Sequence, residues 1–295
     1  MGTSLPASPL RYPGGKQCLA SFVRSVIIEN GMQGCVYAEP YAGGAGLALR
    51  LLLDGTVKKI ILNDKCKLVT TFWRELFYHT HSLVEMIAEE PACMETWHKT
   101  REIIQRPSEF TKKEIAFAFF FQNRTNFSGV IDGGVIGGKN QSGKYKLDAR
   151  YPKERLISLI EQIAKYRKQV KICCKDAISF MRKDLLPLGE SCLTYCDPPY
   201  YEKGQALYLN AYSPSDHASV AEFLQGHETE MRWLVSYDNA REIVALYKRS
   251  RLYSFDLPYS AHVVRRGKEL LSHSPNIILP ATAHKILALE RVMAT

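Results

Sequence analysis

The chain contains no Cys-x-x-Cys pair, although it carries eight cysteines in 295 residues. Its close pairs are Cys173 with Cys174 and Cys192 with Cys196, each inside an apolar, strand-like run. That spacing disfavours zinc and a disulfide framework, and favours reduced thiols packed as small hydrophobes in a reducing compartment. No uninterrupted apolar run approaches the ~20 residues needed to span a bilayer, and no basic stretch leads into an apolar segment near residue 1. Secretion and membrane insertion are therefore not expected; a cytoplasmic protein is. Internal repeats and low-complexity tracts are also missing, which sets aside repeat architectures.

What is present describes a folded α/β chain. At 46% hydrophobic, 295 residues suffice for one large domain, or for a core domain with a substantial insertion. The net charge of +9 is compatible with a polyanionic partner, but only a localised excess would point to one.

Periodicity predicts a helix over 16–30 that stops at Gly31, a buried strand at "CVYAE", a helix at "GLALRLLLDG" and a strand "KKIILND" ending at Asp64. Together they form a β-α-β unit, which normally places its ligand beyond the carboxyl ends of its strands. From about 66 to 166 the pattern turns helical, with a capping box from Thr111 to Glu114 ahead of "IAFAFFFQN". The glycine-rich "FSGVIDGGVIGGKNQSGKYKL" reads as an irregular hairpin and loop. A helix from Pro152 to Lys168 follows, and then the α/β rhythm resumes. It runs through strand "VKICC", helix "DAISFMRKDL", strand "CLTYC", a helix from Pro214 capped by Ser213, strand "MRWLVSY" and helix "NAREIVALYK". Segments around 252–257 and 284–291 are expected to close the sheet as an antiparallel edge. The implied division is an α/β domain at 1–65 and 167–295, interrupted by an insertion at 66–166.

Four clusters could carry chemistry. "EPYAGGAG" (Glu39, Pro40, Tyr41, Gly43, Gly44, Gly46) falls between strand and helix, where glycines permit close backbone approach and a helix amino terminus favours negative groups; an ordinary tight turn reads the same. Asp64 could accept both hydroxyls of a ribose, or cap the next helix. "RYPGGK" brings Tyr12, Gly14, Gly15 and Lys16: an aromatic ring for an adenine and an ammonium for a carboxylate, or a turn with a solvated lysine. "DPPY" (Asp197, Pro198, Pro199, Tyr200) is the sharpest. Two prolines end a buried strand at once and leave a carboxylate and a ring stiffly posed. An exocyclic base amine is a poor nucleophile because its lone pair is conjugated. The Asp197 carboxylate and the Pro198 carbonyl, accepting both its hydrogens, could reverse that while Tyr200 stacks on the base.

These motifs, in this order and with about 130 residues between Asp64 and Asp197, resemble the Dam-like, α-group DNA adenine methyltransferases over nearly the whole chain. The resemblance implies a Rossmann-like, S-adenosylmethionine-dependent methyltransferase sheet with an inserted, mostly helical target-recognition subdomain. It implies that Tyr12, Gly14, Gly15, Lys16, Glu39, Pro40, Tyr41, Gly43, Gly44, Gly46, Asp64 and Asp197 serve the cofactor or catalytic centre, and that Asp176 lies near the cofactor's adenine. It also implies that Asp197 to Tyr200 hold an extruded adenine. "NRTNFSG" is similar to the family's hairpin motif, which nominates Asn123, Arg124, Asn126 and Ser128 for base edges or the vacated stack. Two departures stand out: Ala45 occupies the last glycine position, and the loop after Val130 is unlike that of the GATC-modifying enzymes, so the target sequence is open.

Basic residues concentrate at 139–171, where Lys139, Lys144, Lys146 and Arg150 lead an excess over Asp148, Glu154 and Glu161. Such residues would contact phosphates of double-stranded DNA. The expected assembly is a monomer on DNA in a bacterial or phage-infected cell, with a restriction partner, phage counter-defence and epigenetic marking all compatible settings. Competing readings are methylation of cytosine's 4-amino group, which more often uses serine at the first quartet position, and a silent DNA-binding protein with the same fold. Intact Lys16, Asp64 and Asp197 argue against the second.

Overall fold

Five short runs become the parallel part of one sheet: β1 (Val36–Glu39), β2 (Lys59–Asn63), β3 (Val170–Cys173), β4 (Cys192–Cys196) and β5 (Arg232–Asp238). The structure is a computed structural model that describes residues 6–12, 14–201, 212–248, 250–261 and 263–292. β4 is buried throughout, as a strand covered on both faces must be. Adding β6 (Arg251–Ala261), β7 (Val263–His273) and the short β8 (Glu290–Arg291) gives the order β3-β2-β1-β4-β5-β7-β6-β8. Parallel registers such as Ala38 opposite Ile61 and opposite Thr194 set β1 between β2 and β4. This is the Rossmann-like architecture expected, with its topological switch between β1 and β4.

Helices cover the sheet and extend from it. α1 (Ala20–Glu29) buries Phe22, Val23, Val26 and Ile27, the 3–4 spacing of one helical face. α2 (Gly46–Leu53) links β1 to β2. Between β2 and β3 come α3 (Lys67–Tyr78), α4 (Thr80–Glu89), α5 (Met94–Gln105), α6 (Lys112–Thr125) and α7 (Lys153–Ala164). α6 starts at the anticipated capping box, with Thr111 and Glu114 satisfying each other's backbone amides. Its run from Ala116 to Asn123 is buried on every side, as an all-round apolar helix must be. One apolar cluster joins Leu62 of β2, Phe72 and Trp73 of α3, Phe119 and Phe120 of α6, and Leu193 of β4. The inserted helices therefore share the core of the sheet.

Two expectations are corrected. The segment after α6 is not a hairpin: only an isolated bridge links Asn126 and Val135, and left-handed residues (Ser128, Gly129, Gly137, Gly138, Gln141) break any ladder. The Gln141 amide replaces it, donating to the carbonyls of Ile136 and Gly138 and accepting from Leu147 N. At the carboxyl end, β6 pairs with β7, and β7 enters antiparallel between β5 and β6. Residues 284–291 do not form the expected strand: Ala283–Leu287 is a helix, and only Glu290–Arg291 pairs with β6. Short apolar runs such as "KILALE" do not distinguish helix from strand by periodicity.

Among the described residues no helix is long and apolar enough to cross a membrane. All eight cysteines are free, with Cys173, Cys192 and Cys196 buried.

Candidate active site

At the switch between β1 and β4 lies a cavity of about 300 Å³. Glu39, Pro40 and Tyr41 leave β1 into the turn of Gly43, Gly44 and Gly46, and all six line it. A Cβ at Gly43, whose φ is +43°, would lie 2.6 Å from the Tyr12 ring, and one at Gly44 would lie 2.7 Å from Tyr12 Cβ. The glycines thus let Tyr12 pack directly on the turn. Trp73 of α3 donates to the Gly43 carbonyl at 2.9 Å, so an inserted helix fixes the same turn. Asn63, at the end of β2, donates to the Pro40 and Lys175 carbonyls and accepts from Lys175 N, tying three strand ends together.

Ala45 stands where the resembled families often place glycine, and it is left-handed, with φ 48° and ψ 25°. That conformation costs a residue with a Cβ about 1–2 kcal/mol. Ala45→Gly is expected to stabilise the fold by about 0.5–1 kcal/mol net of glycine's entropy, raising the thermal midpoint by about 1–3 °C. A lower midpoint would contradict this.

Glu39 and Asp64 line the cavity with no cation pairing them among the described residues. Glu39, 5% exposed, accepts from the Tyr37 hydroxyl at 3.2 Å and Ala48 N at 3.0 Å, and burial pushes it up to about 8. Asp64 accepts from Gly43 N at 2.9 Å and Cys66 N at 2.8 Å. Burial pushes it up to about 6 against the pull of those two amides. The Cys66 bond closes a turn ahead of α3 and is not the helix cap that the sequence also allowed, since Cys66 is itself the N-cap and no side chain caps the helix; Asp64 lines the cavity while making that bond. A buried and a half-buried carboxyl lacking a counter-charge fit a ligand that brings positive charge and hydroxyl donors.

Past β4, the Asp197 Oδ1 accepts from Lys16 Nζ at 2.9 Å and from Ser236 Oγ at 3.1 Å. Ser236 lies 2.7 Å from the Tyr195 hydroxyl. Asp197 Oδ2 has no hydrogen-bond partner among the described residues, and Asp197 lines the cavity. Lys16 Nζ also donates to Gly14 O at 3.0 Å and to the Tyr200 hydroxyl at 3.3 Å, and lies 3.4 Å from Glu269 Oε2. Burial works to lower the Lys16 ammonium, yet Asp197 and Glu269 hold it well above its usual range. Burial pushes Asp197 up to about 6, opposed by Lys16 and assisted by Glu269. If the ionised form of Asp197 is the active one, kcat/KM should fall tenfold per unit as pH drops below about 6. A profile flat to pH 5 would contradict that role.

The structure brings together most residues nominated from sequence. Tyr12, Gly14, Gly15, Lys16, Asp64, Asp197 and Pro199 share the cavity with the glycine turn. Asp176 is exposed and caps the helix Ala177–Phe180 through Ser179 N, while its neighbour Ala177 lines the cavity. Pro198 and Tyr200 are buried. Tyr200, expected to stack on a base, is only 6% exposed and donates its hydroxyl to Glu269 Oε1 at 2.7 Å. Here it is an anchor, not a cavity wall. Ser236, Asp238 and Glu269 were missed. Ser236 and Asp238 share one face of β5, and Asp238 accepts from Tyr201 N at 2.8 Å, so β5 braces both ends of the quartet.

Asn123 and Asn126 also need correction as base readers, because both are buried with their amides engaged. Asn123 bonds both backbone groups of Arg11, at 2.8 and 2.7 Å, and donates to Gly129 O. Asn126 accepts from the Trp97 indole at 2.8 Å and donates to Gln122, Val130 and Ile131. They fasten the loop to the site. Ser128 is exposed with φ 55°, beside Phe127 at 52% exposure. Burial pushes Arg124 down to about 10, and Arg11 and Arg150 add to the fall; no carboxylate pairs with these guanidiniums among the described residues. Lys139, Lys144, Lys146 and Arg150 are exposed.

A largely buried carboxylate with one unpartnered oxygen thus stands at the switch point of a Rossmann-like sheet, beside a cavity suited to a cationic ligand. The model of the D12 class N6 adenine-specific DNA methyltransferases matches residues 12–262, and the chain belongs to that family. That membership implies S-adenosylmethionine as methyl donor; its sulfonium, ammonium and ribose hydroxyls suit Glu39 and Asp64. No curated protein matches the chain. A solved structure of a candidate RNA methyltransferase from Pyrococcus horikoshii aligns at TM-score 0.40 and 10% identity, covering 90% of this chain and 93% of that one.

Proposed function

We propose that this protein methylates the 6-amino group of adenine at a short motif in double-stranded DNA, by direct transfer to an extruded base. One observation carries the reading: Asp197, whose Oδ2 has no hydrogen-bond partner among the described residues, lines the same cavity as Glu39 and Asp64, which no cation pairs there. When bound, S-adenosylmethionine supplies an activated methyl group on a sulfonium. Glu39, Asp64 and the Tyr12-covered turn hold that donor. Asp197 accepts a hydrogen of the amine through Oδ2, and the Pro198 carbonyl is the second acceptor. Their dipoles favour the nitrogen as it gains positive charge, and fixed geometry supplies alignment. Asp197 orients the amine and can take its proton after transfer.

A base within a duplex cannot reach this cavity, so the nucleotide must be extruded at a cost of a few kcal/mol. The exposed Phe127–Ser128 tip is the group proposed to fill the vacated stack. Arg11, Arg124 and Arg150, without carboxylate partners among the described residues, supply charge beside that tip.

The test is incubation of duplex plasmid with donor labelled in its methyl group, followed by digestion to nucleosides. Label in 6-methyladenine supports the reading. Label only in 4-methylcytosine, or binding without label, would overturn it. Exposed Lys139, Lys144 and Lys146 also predict a salt effect: replacing all three with alanine should reduce the slope of log K against log salt by up to about 2.7, at about 0.9 per phosphate contact. An unchanged slope would remove them from the interface.

A further inference from the structure

We propose that Glu269 of β7 is a positioning residue for methyl transfer: it shares Lys16 with Asp197 and anchors Tyr200, leaving one Asp197 oxygen free for the target amine. The inference rests on the function proposed above. In the register of β7, Glu269 stands opposite Asp238 of β5 and Phe255 of β6, a central position where a charged side chain is costly unless paired. Its side chain is 1% exposed, and Lys16 is 3% exposed. Three contacts hold the group together: Lys16 Nζ to Glu269 Oε2 at 3.4 Å, Lys16 Nζ to Asp197 Oδ1 at 2.9 Å, and the Tyr200 hydroxyl to Glu269 Oε1 at 2.7 Å.

The charge count gives this arrangement a chemical consequence. Lys16 alone would neutralise Asp197. With Glu269 present, Lys16 is shared between two carboxylates, so its charge no longer fully offsets that of Asp197. During transfer positive charge moves onto the amine nitrogen, and a fixed negative charge on that side favours the transition state over the ground state. Glu269 also draws Lys16 toward β7, which limits Lys16 to Oδ1 and keeps Oδ2 available. Tyr200 links the quartet to β7 through the same carboxylate. The groups that bear on Asp197 are Lys16 and Cys18 ahead of α1, Tyr37 and Glu39 of β1, Tyr195 and Cys196 of β4, and Glu269 of β7.

The experiment compares wild type, Glu269→Gln, Glu269→Asp and Tyr200→Phe in the full-length protein, on duplex DNA with labelled donor. Single-turnover rate is measured from pH 5 to 8, and donor affinity by calorimetry. The expected result for Glu269→Gln is a single-turnover rate about 10–100-fold lower, with donor affinity within about threefold of wild type. Its acid limb should also move to lower pH, because Glu269 no longer opposes ionisation of Asp197. Glu269→Asp should recover part of the rate, and Tyr200→Phe should lose several-fold. A Glu269→Gln rate within threefold of wild type would overturn the inference. So would a rate loss with the acid limb unmoved, or with donor binding lost, since either marks a merely structural role. Should Glu269→Gln fail to fold, Glu269→Asp and Tyr200→Phe decide: wild-type rates in both overturn the inference, and reduced rates with donor binding intact support it. A wild type that transfers no methyl group to DNA would instead refute the function on which the inference rests.

Discussion

Asp197→Ala is expected to lower the rate of methyl transfer to DNA by about 10³-fold while donor and DNA binding stay within a few-fold of wild type. The size follows from removing a preorganised group aimed at the reacting atom, which typically costs 10²–10³ in kcat, with loss of amine alignment added. The selectivity follows from geometry. Lys16 keeps Glu269, Gly14 O and the Tyr200 hydroxyl after the change, so no buried ammonium is stranded. Tyr12, Glu39 and Asp64 lie on other elements and retain the donor site. Pre-steady-state transfer alongside equilibrium binding separates the effects. A rate within tenfold of wild type would show that the Asp197 oxygens are not the acceptors that activate the amine.

Gly129→Ala is expected to damage both the fold and the donor site. Gly129 has φ +77°, and a Cβ there would lie 2.0 Å from the Arg11 carbonyl oxygen and 2.9 Å from its carbon, both backbone atoms with little room to move. Left-handed strain costs about 1–2 kcal/mol, and relieving the clash must also part the Asn123 bonds to Arg11 and Gly129, for a total of about 3 kcal/mol or more. Gly129, Val130 and Ile131 line the same cavity as Tyr12, so donor affinity should fall about tenfold as the loop shifts. Thermal unfolding with and without donor reads both effects. A wild-type midpoint together with wild-type affinity would contradict the close approach of these two backbones.

The parts of the fold that were legible are those where local pattern and tertiary need agree. The β-α-β start, the capping box at Thr111, the cap at Ser213, and the proline stop after β4 all follow from a few adjacent residues. β7 was not legible because "VVRRGKELLSH" mixes charge into its alternation, and the reason for a buried Glu269 lies on distant Lys16 and Tyr200. No local spacing announces such a partner. The sequence does carry a usable signal for Asn123 and Asn126: Asn123 closes "IAFAFFFQN", a run apolar all round, Asn126 ends the same helix three residues on, and a helix buried on every face buries its amides too. The loop at 127–147 alternates like a hairpin, but its left-handed residues and the Gln141 amide outcompete ladder pairing. For the site, motif order identified the cavity residues, whereas whether Tyr200 faces a ligand or anchors the cluster depends on packing.

The most direct measurement is single-molecule sequencing of DNA propagated with an active copy of this gene, reading modified bases in context. The account predicts 6-methyladenine within one short motif in wild-type cells and none in cells expressing Asp197→Ala. Modification confined to cytosine, or adenine methylation that persists without Asp197, would contradict it.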